Sequence, residues 1–552
     1  MRLNIKVLLH EVHLRYINMC SYPLVLALIV ISIITPTPIY AISSSNIPLD
    51  SPVYAYLDKL AGFGLIYSDI KGIKPFSKAE AARLLKEAEN NIGSLESSDT
   101  RLATELVACI RTLIPREVSL REKPDSSRPF FDYNPISSLR LRYLWLAGVP
   151  RDYRRDVHDP GDDGVFGMSA GLRPINSPSA TVRQRGGEGT PLVENNNGTV
   201  YGNGHNGELR LGSELYLGEQ AVGLLEESLQ TNGDELRLRI NRGYLKIGGG
   251  SVELEAGKDE NWFGLGYRGA ITLTNNAENF TQLKLSSPEP IDAKLIGALK
   301  YSLIFSSFEK TNVDGIERHP WFYAIKFSSK PTPDLEVGIN IGRQVGGPGV
   351  DNNLEETLRG LIGGTNDDNS NGIAGIEARY RFRGLRNTEV YAEFSGEDNA
   401  LFWPIVESYL AGLYIPLLTD DGRNDFRFEF FLGNQILYTH TLFPNGYILK
   451  NMPIGHSQGG ATQDFFFRYS HWFSVRNNLA LEYFYTNRGM VGRVQGQSVE
   501  RKHSGRIFWS LPLYGDLDGQ IGYGIEKVSN LNLVYGQEQT NQMLKFELRY
   551  LY

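Results

Sequence analysis

Hydrophobic and polar residues alternate one by one along most of this chain. From Met543 to Tyr552, Leu544, Phe546, Leu548, Tyr550 and Tyr552 fall on one side, and Lys545, Glu547 and Arg549 on the other. That is the period of a β-strand, whose successive side chains point to opposite faces. The pattern recurs upstream. Leu236, Leu238 and Ile240 alternate with Glu235, Arg237 and Arg239, and Leu209, Leu211, Leu215 and Leu217 with Glu208, Arg210 and Glu214. Ile376, Ala378, Tyr380 and Phe382 alternate with Glu377, Arg379, Arg381 and Arg383, and Phe426, Phe428 and Phe430 with Arg427 and Glu429. A soluble sandwich also pairs apolar with polar faces. A final strand ending on an aromatic residue points instead to the closing strand of an outer-membrane barrel, with lipid on one side and a watery lumen on the other.

Residues 50–115 follow a helical period. Ser51-Pro52 caps a helix carrying Val53, Tyr56, Leu57 and Leu60, and Gly62 or Gly64 ends it. Ser77-Lys78-Ala79-Glu80 is a capping box opening a second helix through Ala88. A third carries Leu102, Leu106, Cys109, Ile110 and Leu113, with Pro115 as its expected stop. Before them, Arg2, Lys6, His13 and Arg15 precede an apolar stretch from Leu24 to Ile34, and Ile39-Tyr40-Ala41 offers a cleavage site. The apolar stretch is short of the ~20 residues of a membrane span, which favours an export signal over an anchor. The predicted division is a signal peptide over 1–41, a periplasmic helical region over 42–130 and a barrel over 131–552. Connections alternate between short ones, such as 331–334 and 384–387, and long polar ones, such as 184–206 and 343–372, expected outside the cell. At roughly 20–25 residues per strand with its loop, a barrel region of about 410 residues gives some 16 to 18 strands.

Composition agrees with this division. The 552 residues are 41% hydrophobic and 11% aromatic, with 58 Gly. Many aromatics without long apolar runs suit strands that cross a membrane. A net charge of −7 argues against broad nucleic-acid binding. Of the two cysteines, Cys20 lies in the expected leader, so Cys109 would have no disulfide partner.

Several motifs match known chemistry in form only. Gly455-His456-Ser457-Gln458-Gly459 fits a lipase nucleophile elbow, with Asp464, His471 and His503 downstream, but the following Phe465 to Tyr469 reads as strand rather than helix. Gly264-Leu265-Gly266-Tyr267-Arg268-Gly269 fits a dinucleotide fingerprint, but Ala270 to Thr274 reads as strand. Asp367, Asn369, Asn371 and Gly372 open like a calcium loop, yet Ala378 stands where the bidentate glutamate belongs. No His/Cys spacing suggests zinc. Neither a cofactor nor a metal is expected.

The run Gly257-Lys258-Asp259-Glu260-Asn261-Trp262-Phe263-Gly264-Leu265-Gly266, followed by Leu273-Thr274-Asn275-Asn276-Ala277, resembles the capsule assembly protein Wzi family. Further matches are Tyr438-Thr439-His440, Asn445-Gly446-Tyr447, Ile454-Gly455-His456 with Gly459, Gly62 to Ile66, and Lys74-Pro75-Phe76-Ser77. Leu265 departs from the proline of many members. The resemblance implies a mainly β fold, a transmembrane antiparallel barrel of about 18 strands with a small N-terminal periplasmic helical bundle. It implies a non-enzymatic, monomeric, lectin-like protein of the outer membrane that attaches or assembles capsular or exopolysaccharide at the cell surface. Polysaccharide contact needs planar hydrogen-bonding groups and aromatic faces. Trp262, Tyr267, Arg268, Asn275, Asn276, His456 and Asp464 are the candidates. The rival readings are a passive porin and an outer-membrane serine lipase using Ser457.

Overall fold

The alternating stretches become strands of one closed sheet in the computed structural model, which describes residues 42–551. Exceptions within that range are 96–99, 124–128, 153–154, 159–180, 185, 234, 314, 351–369, 401, 441–442, 444 and 491–493. The expected leader, with Cys20, therefore lies outside the described residues, as do Asp367 and Asn369.

The wall begins with β1 (Phe131–Ala147), β2 (Gly204–Leu217), β3 (Ala221–Asn232), β4 (Glu235–Gly249), β5 (Val252–Lys258) and β6 (Thr281–Ser286). It continues through β7 (Gly297–Ser307), β8 (Trp321–Thr332), β9 (Leu335–Val345), β10 (Ser370–Phe382), β11 (Thr388–Ala400) and β12 (Trp403–Ile415). It ends with β13 (Asn424–Gly433), β14 (Thr462–Trp472), β15 (Asn478–Arg488), β16 (Glu500–Tyr514), β17 (Leu517–Ser529) and β18 (Glu538–Leu551). Ile291–Ala293 extends β6, because both segments pair with β7. β18 pairs with β1 from Ser138↔Leu551 to Ala147↔Gln542, which closes an antiparallel barrel of 18 strands. Closure leaves no open edge, so the wall's backbone groups are paired without water.

Burial runs opposite to that of a soluble sheet. In β10, Glu377, Arg379 and Arg381 are buried while Tyr380 and Phe382 are 43% and 39% exposed. In β18, Glu547 is buried while Phe546 and Leu548 are 43% and 39% exposed. A sandwich would hide those aromatics. Here they form an outer apolar belt that only lipid can cover at acceptable cost.

Among the described residues four helices precede the wall: α1 (Val53–Gly62), α2 (Lys78–Asn91), α3 (Thr100–Leu113) and α4 (Pro115–Glu122). Pro115 does not simply end the third helix, as expected. It opens a fourth, where its missing N–H is no loss. Ser77 Oγ accepts from the Glu80 N–H at 3.1 Å, but the Glu80 carboxylate turns to Arg83 at 2.7 Å, so half the capping box forms. Leu57, Leu60, Leu84, Leu85, Leu106 and Ile110 make the helical core, and Trp472 and Val475 of the barrel join it. Each fully buried side chain of this size stabilises by about 1.5–3 kcal/mol. Burial pushes the Cys109 thiol up to about 11, so it is inert at neutral pH.

The lumen's charged face is matched by charges from this segment. Asp69 accepts from Lys330 at 2.5 Å, Arg379 at 2.9 Å and Arg381 at 3.2 Å. Lys71 pairs with Asp58 at 2.7 Å and Glu389 at 3.0 Å, while the Lys71 and Gly72 N–H groups donate to Glu336. Lys59, fully buried, meets Asp425 at 3.2 Å. Buried charges persist only when paired in this way. The helices thus stopper one end of the barrel.

Candidate functional site

The opposite end is filled by chain that leaves the wall and folds back inside. Residues 259–280 and 434–461 meet there in an apolar cluster that includes Phe263, Ile271, Phe431, Tyr438, Tyr447 and Ile454. Gly342 in β9 makes room for Tyr447, whose hydroxyl would lie 1.7 Å from any Cβ at that position. Of the two long polar connections expected outside, 184–206 also turns inward, with Leu192 and Tyr201 buried against Leu144, Leu146 and Met543, while 351–369 of the other lies outside the described residues.

The glycine-rich turn shows how this filling is held. The N–H groups of Leu265, Gly266 and Ile271 donate to the Glu393 carboxylate of β11 at 2.7, 3.1 and 3.1 Å. The N–H groups of Tyr267 and Arg268 donate to Glu429 of β13, the latter at 2.8 Å. Amides that would cradle a diphosphate in a dinucleotide fold here cradle the protein's own carboxylates, and no helix follows. A Cβ at Gly266 would lie 1.9 Å from the Gly269 carbonyl, so the turn needs glycine. Ala270 to Thr274 is not the expected strand. Its single bridge is Phe263 to Leu273, and the Ile271 and Thr274 N–H groups go to Glu393 and the Ile454 carbonyl instead.

The second inward loop is tied to the first. Tyr438 donates its N–H to Glu397 at 2.6 Å and its hydroxyl to the Ile271 carbonyl at 2.6 Å, and accepts from the His456 N–H at 2.7 Å. The His456 ring stacks flat on Phe431, 3.7 Å between centroids. Burial, then the Arg268 charge, pushes its imidazole well below the usual value, so it is neutral. Ser457 is 1% exposed and sits beside a histidine that faces Phe431. Asp464 is taken by Arg268 and Thr486, His471 by Asn424, and His503 by Tyr483. These groups do not assemble a Ser-His-Asp triad. Asn371, from the calcium-like motif, lies in β10 and bonds Gln344 at 3.0 Å. Among the described residues no cluster of His, Cys, Asp and Glu is placed to hold a metal.

The structure divides the seven candidate residues into two groups. Asn276, which donates to the Pro453 carbonyl at 2.9 Å, is buried with His456 in the filling itself, and Asp464 is buried on β14 of the wall, where it holds Arg268. Trp262, Tyr267, Arg268 and Asn275 border a chamber of ≈ 460 Å³ between the filling and the helices. Tyr267 is 38% exposed although it lies inside the barrel, and its ring stacks on Phe466 at 5.9 Å. The Arg427 guanidinium lies 4.3 Å from the Tyr267 ring centre, and that of Arg468 5.5 Å. Lys74 lies over Trp262 at 5.3 Å. Behind them Glu194 bridges Arg268 at 3.0 Å and Arg506 at 2.8 Å. Burial opposes its charge, but Arg506 and Arg268 outweigh burial and hold it well below the usual carboxylate value. Sequence reasoning missed Arg427, Arg468 and Lys74. On the sequence, each is one more charge on a strand face or loop.

With that geometry in place, similarity to known proteins can be read. The family model of the capsule assembly protein Wzi matches residues 173–543, more than half of the chain. The chain belongs to the capsule assembly protein Wzi family. Among solved structures it is similar to Wzi of Escherichia coli, described as an outer membrane protein involved in group 1 capsule assembly and a carbohydrate binding β-barrel. Identity is 16%, with 92% of this chain and 99% of that one covered and a TM-score of 0.64, a likeness of fold. OprD of Pseudomonas aeruginosa aligns at 10% identity over 77% of this chain and 96% of its own, with a TM-score of 0.41. No curated protein sequence matches. In this member of the Wzi family, a two-residue ladder, Ile73↔Phe263 and Lys74↔Trp262, joins the helical stopper to the inward loops.

Proposed function

We propose that this Wzi-family chain is a monomeric outer-membrane barrel that binds capsular or other extracellular polysaccharide and helps attach or assemble it at the cell surface. In this reading the helix end faces the periplasm and the loop end faces outward. Membership of the family carries the reading. The filled lumen supports it, since a binding barrel has no need of a through-passage. Contact with glycan is assigned to the loop end. Asn276, His456 and Asp464 act by holding the loops in place.

Capsule retention in a deletion strain is the test. Loss of cell-associated polysaccharide that the intact gene restores is the expected result, and normal retention without the gene would end the proposal. The porin alternative separates on the same purified protein: stable ion-conducting steps in planar bilayers would favour it, and none are expected.

A further inference from the structure

Three features of the inner chamber bear on what it could hold. Nine basic side chains border it against six carboxylates. Lys74 forms no ion pair among the described residues, and its ammonium lies over the Trp262 ring. Four buried polar atoms on bordering residues, Trp262 Nε1, Asn195 Oδ1, Arg268 Nε and Asn275 Oδ1, have no hydrogen-bond partner among the described residues. Buried groups of that kind are normally satisfied, so they mark places where a water or a ligand belongs.

The aromatic floor narrows the chemistry. Tyr267 is 38% exposed within the chamber, with its ring stacked on Phe466 and the Arg427 and Arg468 guanidiniums over it. A sugar ring packs its C–H face on such a ring, while guanidinium and ammonium groups favour a carboxylate. A volume of ≈ 460 Å³ is in the range of small-ligand pockets and suits a short oligosaccharide. The chamber borders the exposed Asp50 and Ala55 at the start of α1, beside Gln520 and Arg549 of the wall, so it opens toward the helix end. The inward loops stand on its other side.

We propose that the chamber is a second, inward-facing site, which takes a uronic-acid-bearing end or short segment of polysaccharide from the helix side. The sugar ring packs against the exposed part of Tyr267, and its carboxylate is met by Lys74 with Arg427 and Arg468, which also face Asp58 and Glu482. This rests on the polysaccharide reading above but concerns a place the outer surface does not reach.

The test is calorimetric titration of the detergent-solubilised full chain with trigalacturonic acid and, separately, with neutral maltotriose. Trigalacturonic acid is expected to bind at least tenfold more tightly. Tyr267→Ala and Lys74→Gln should each weaken it at least tenfold, and a heat-modified gel shift would confirm that both variants are folded. A bulky maleimide on Ala55→Cys, in a Cys109→Ser background, should block the entrance and abolish binding. Equal affinity for the two sugars, or full binding with the entrance blocked, overturns the proposal. If whole polysaccharide binds but trigalacturonic acid does not, the inner site falls and the surface reading stands. If capsule retention does not depend on the gene either, both fall.

Discussion

The two ends of this barrel are closed by different balances of contact, although the Lys71 and Gly72 N–H groups also donate to Glu336 at the helix end and Arg268 meets Asp464 at the loop end. At the helix end, charged side chains reach across to charged side chains: Asp69 to Lys330, Arg379 and Arg381, and Lys59 to Asp425. At the loop end, the main chain itself is held, with three N–H groups on Glu393 and two on Glu429. Side-chain ion pairs need no particular backbone path, so helices with ordinary turns can make them. Main-chain ties fix the path of an irregular loop, because each N–H must point at its carboxylate. A helix satisfies its own backbone, and a loop in a dry lumen must borrow acceptors from the wall.

Replacing Glu393 should separate the two ends most strongly. Glu393→Ala leaves three N–H groups unmatched at the loop end and should cost on the order of 5 kcal/mol. Conducting steps should then appear in planar bilayers where the unaltered protein shows none. A lumen still closed in this variant would mean that the apolar cluster alone holds the loops.

Asp69→Asn attacks the other end. Lys330 then loses its one carboxylate among the described residues, while Arg379 keeps Glu336 and Glu389 and Arg381 keeps Glu389. The change should cost about 3–5 kcal/mol, seen as protease cleavage within α2 and α3 while the barrel stays intact and non-conducting. Burial opposes the Asp69 charge, but Arg379, Lys330 and Arg381 outweigh it and hold the carboxyl well below 3.8. Its contribution is therefore present above that value and lost only as acid reaches the lowered folded-state value.

A smaller effect concerns Lys74, where the two closures meet. Burial brings its ammonium down to about 8 from 10.5, with Asp58 opposing that fall and Arg427 and Lys71 adding to it. Between those values the unfolded chain holds more protons than the folded one, so stability should rise with pH. Denaturant titrations from pH 8 to 10.5 should show that rise, and Lys74→Met should flatten it.

Least disruptive is Tyr447→Phe. Its hydroxyl is buried without a partner, so removal should change stability by less than about 1 kcal/mol and in either direction. A much larger loss would reveal a bound water or ligand at that oxygen.

How much of this could be read beforehand followed from what alternation encodes. Tyr380 and Phe382 against Glu377, Arg379 and Arg381 announce a strand with two unlike faces, and the barrel follows once many such strands are found. The pattern is silent on which charged face meets which partner. Glu393 looks like any lumen residue, although five residues at least 122 positions away in sequence depend on it and on Glu429 two strands along. Four of the seven candidate residues border the chamber because the Trp262 to Asn275 segment carries its own signature. Arg427, Arg468 and Lys74 join them from separate elements, and only the closed fold brings them together. Pro115 was ambiguous for a related reason, since proline both ends one helix and begins the next.

The ladder of Ile73 and Lys74 with Phe263 and Trp262 has a mechanical consequence. It makes a clasp between the helical stopper and the inward loops. In the proposed orientation, a tug or a bound guest on one side would strain the other through four residues.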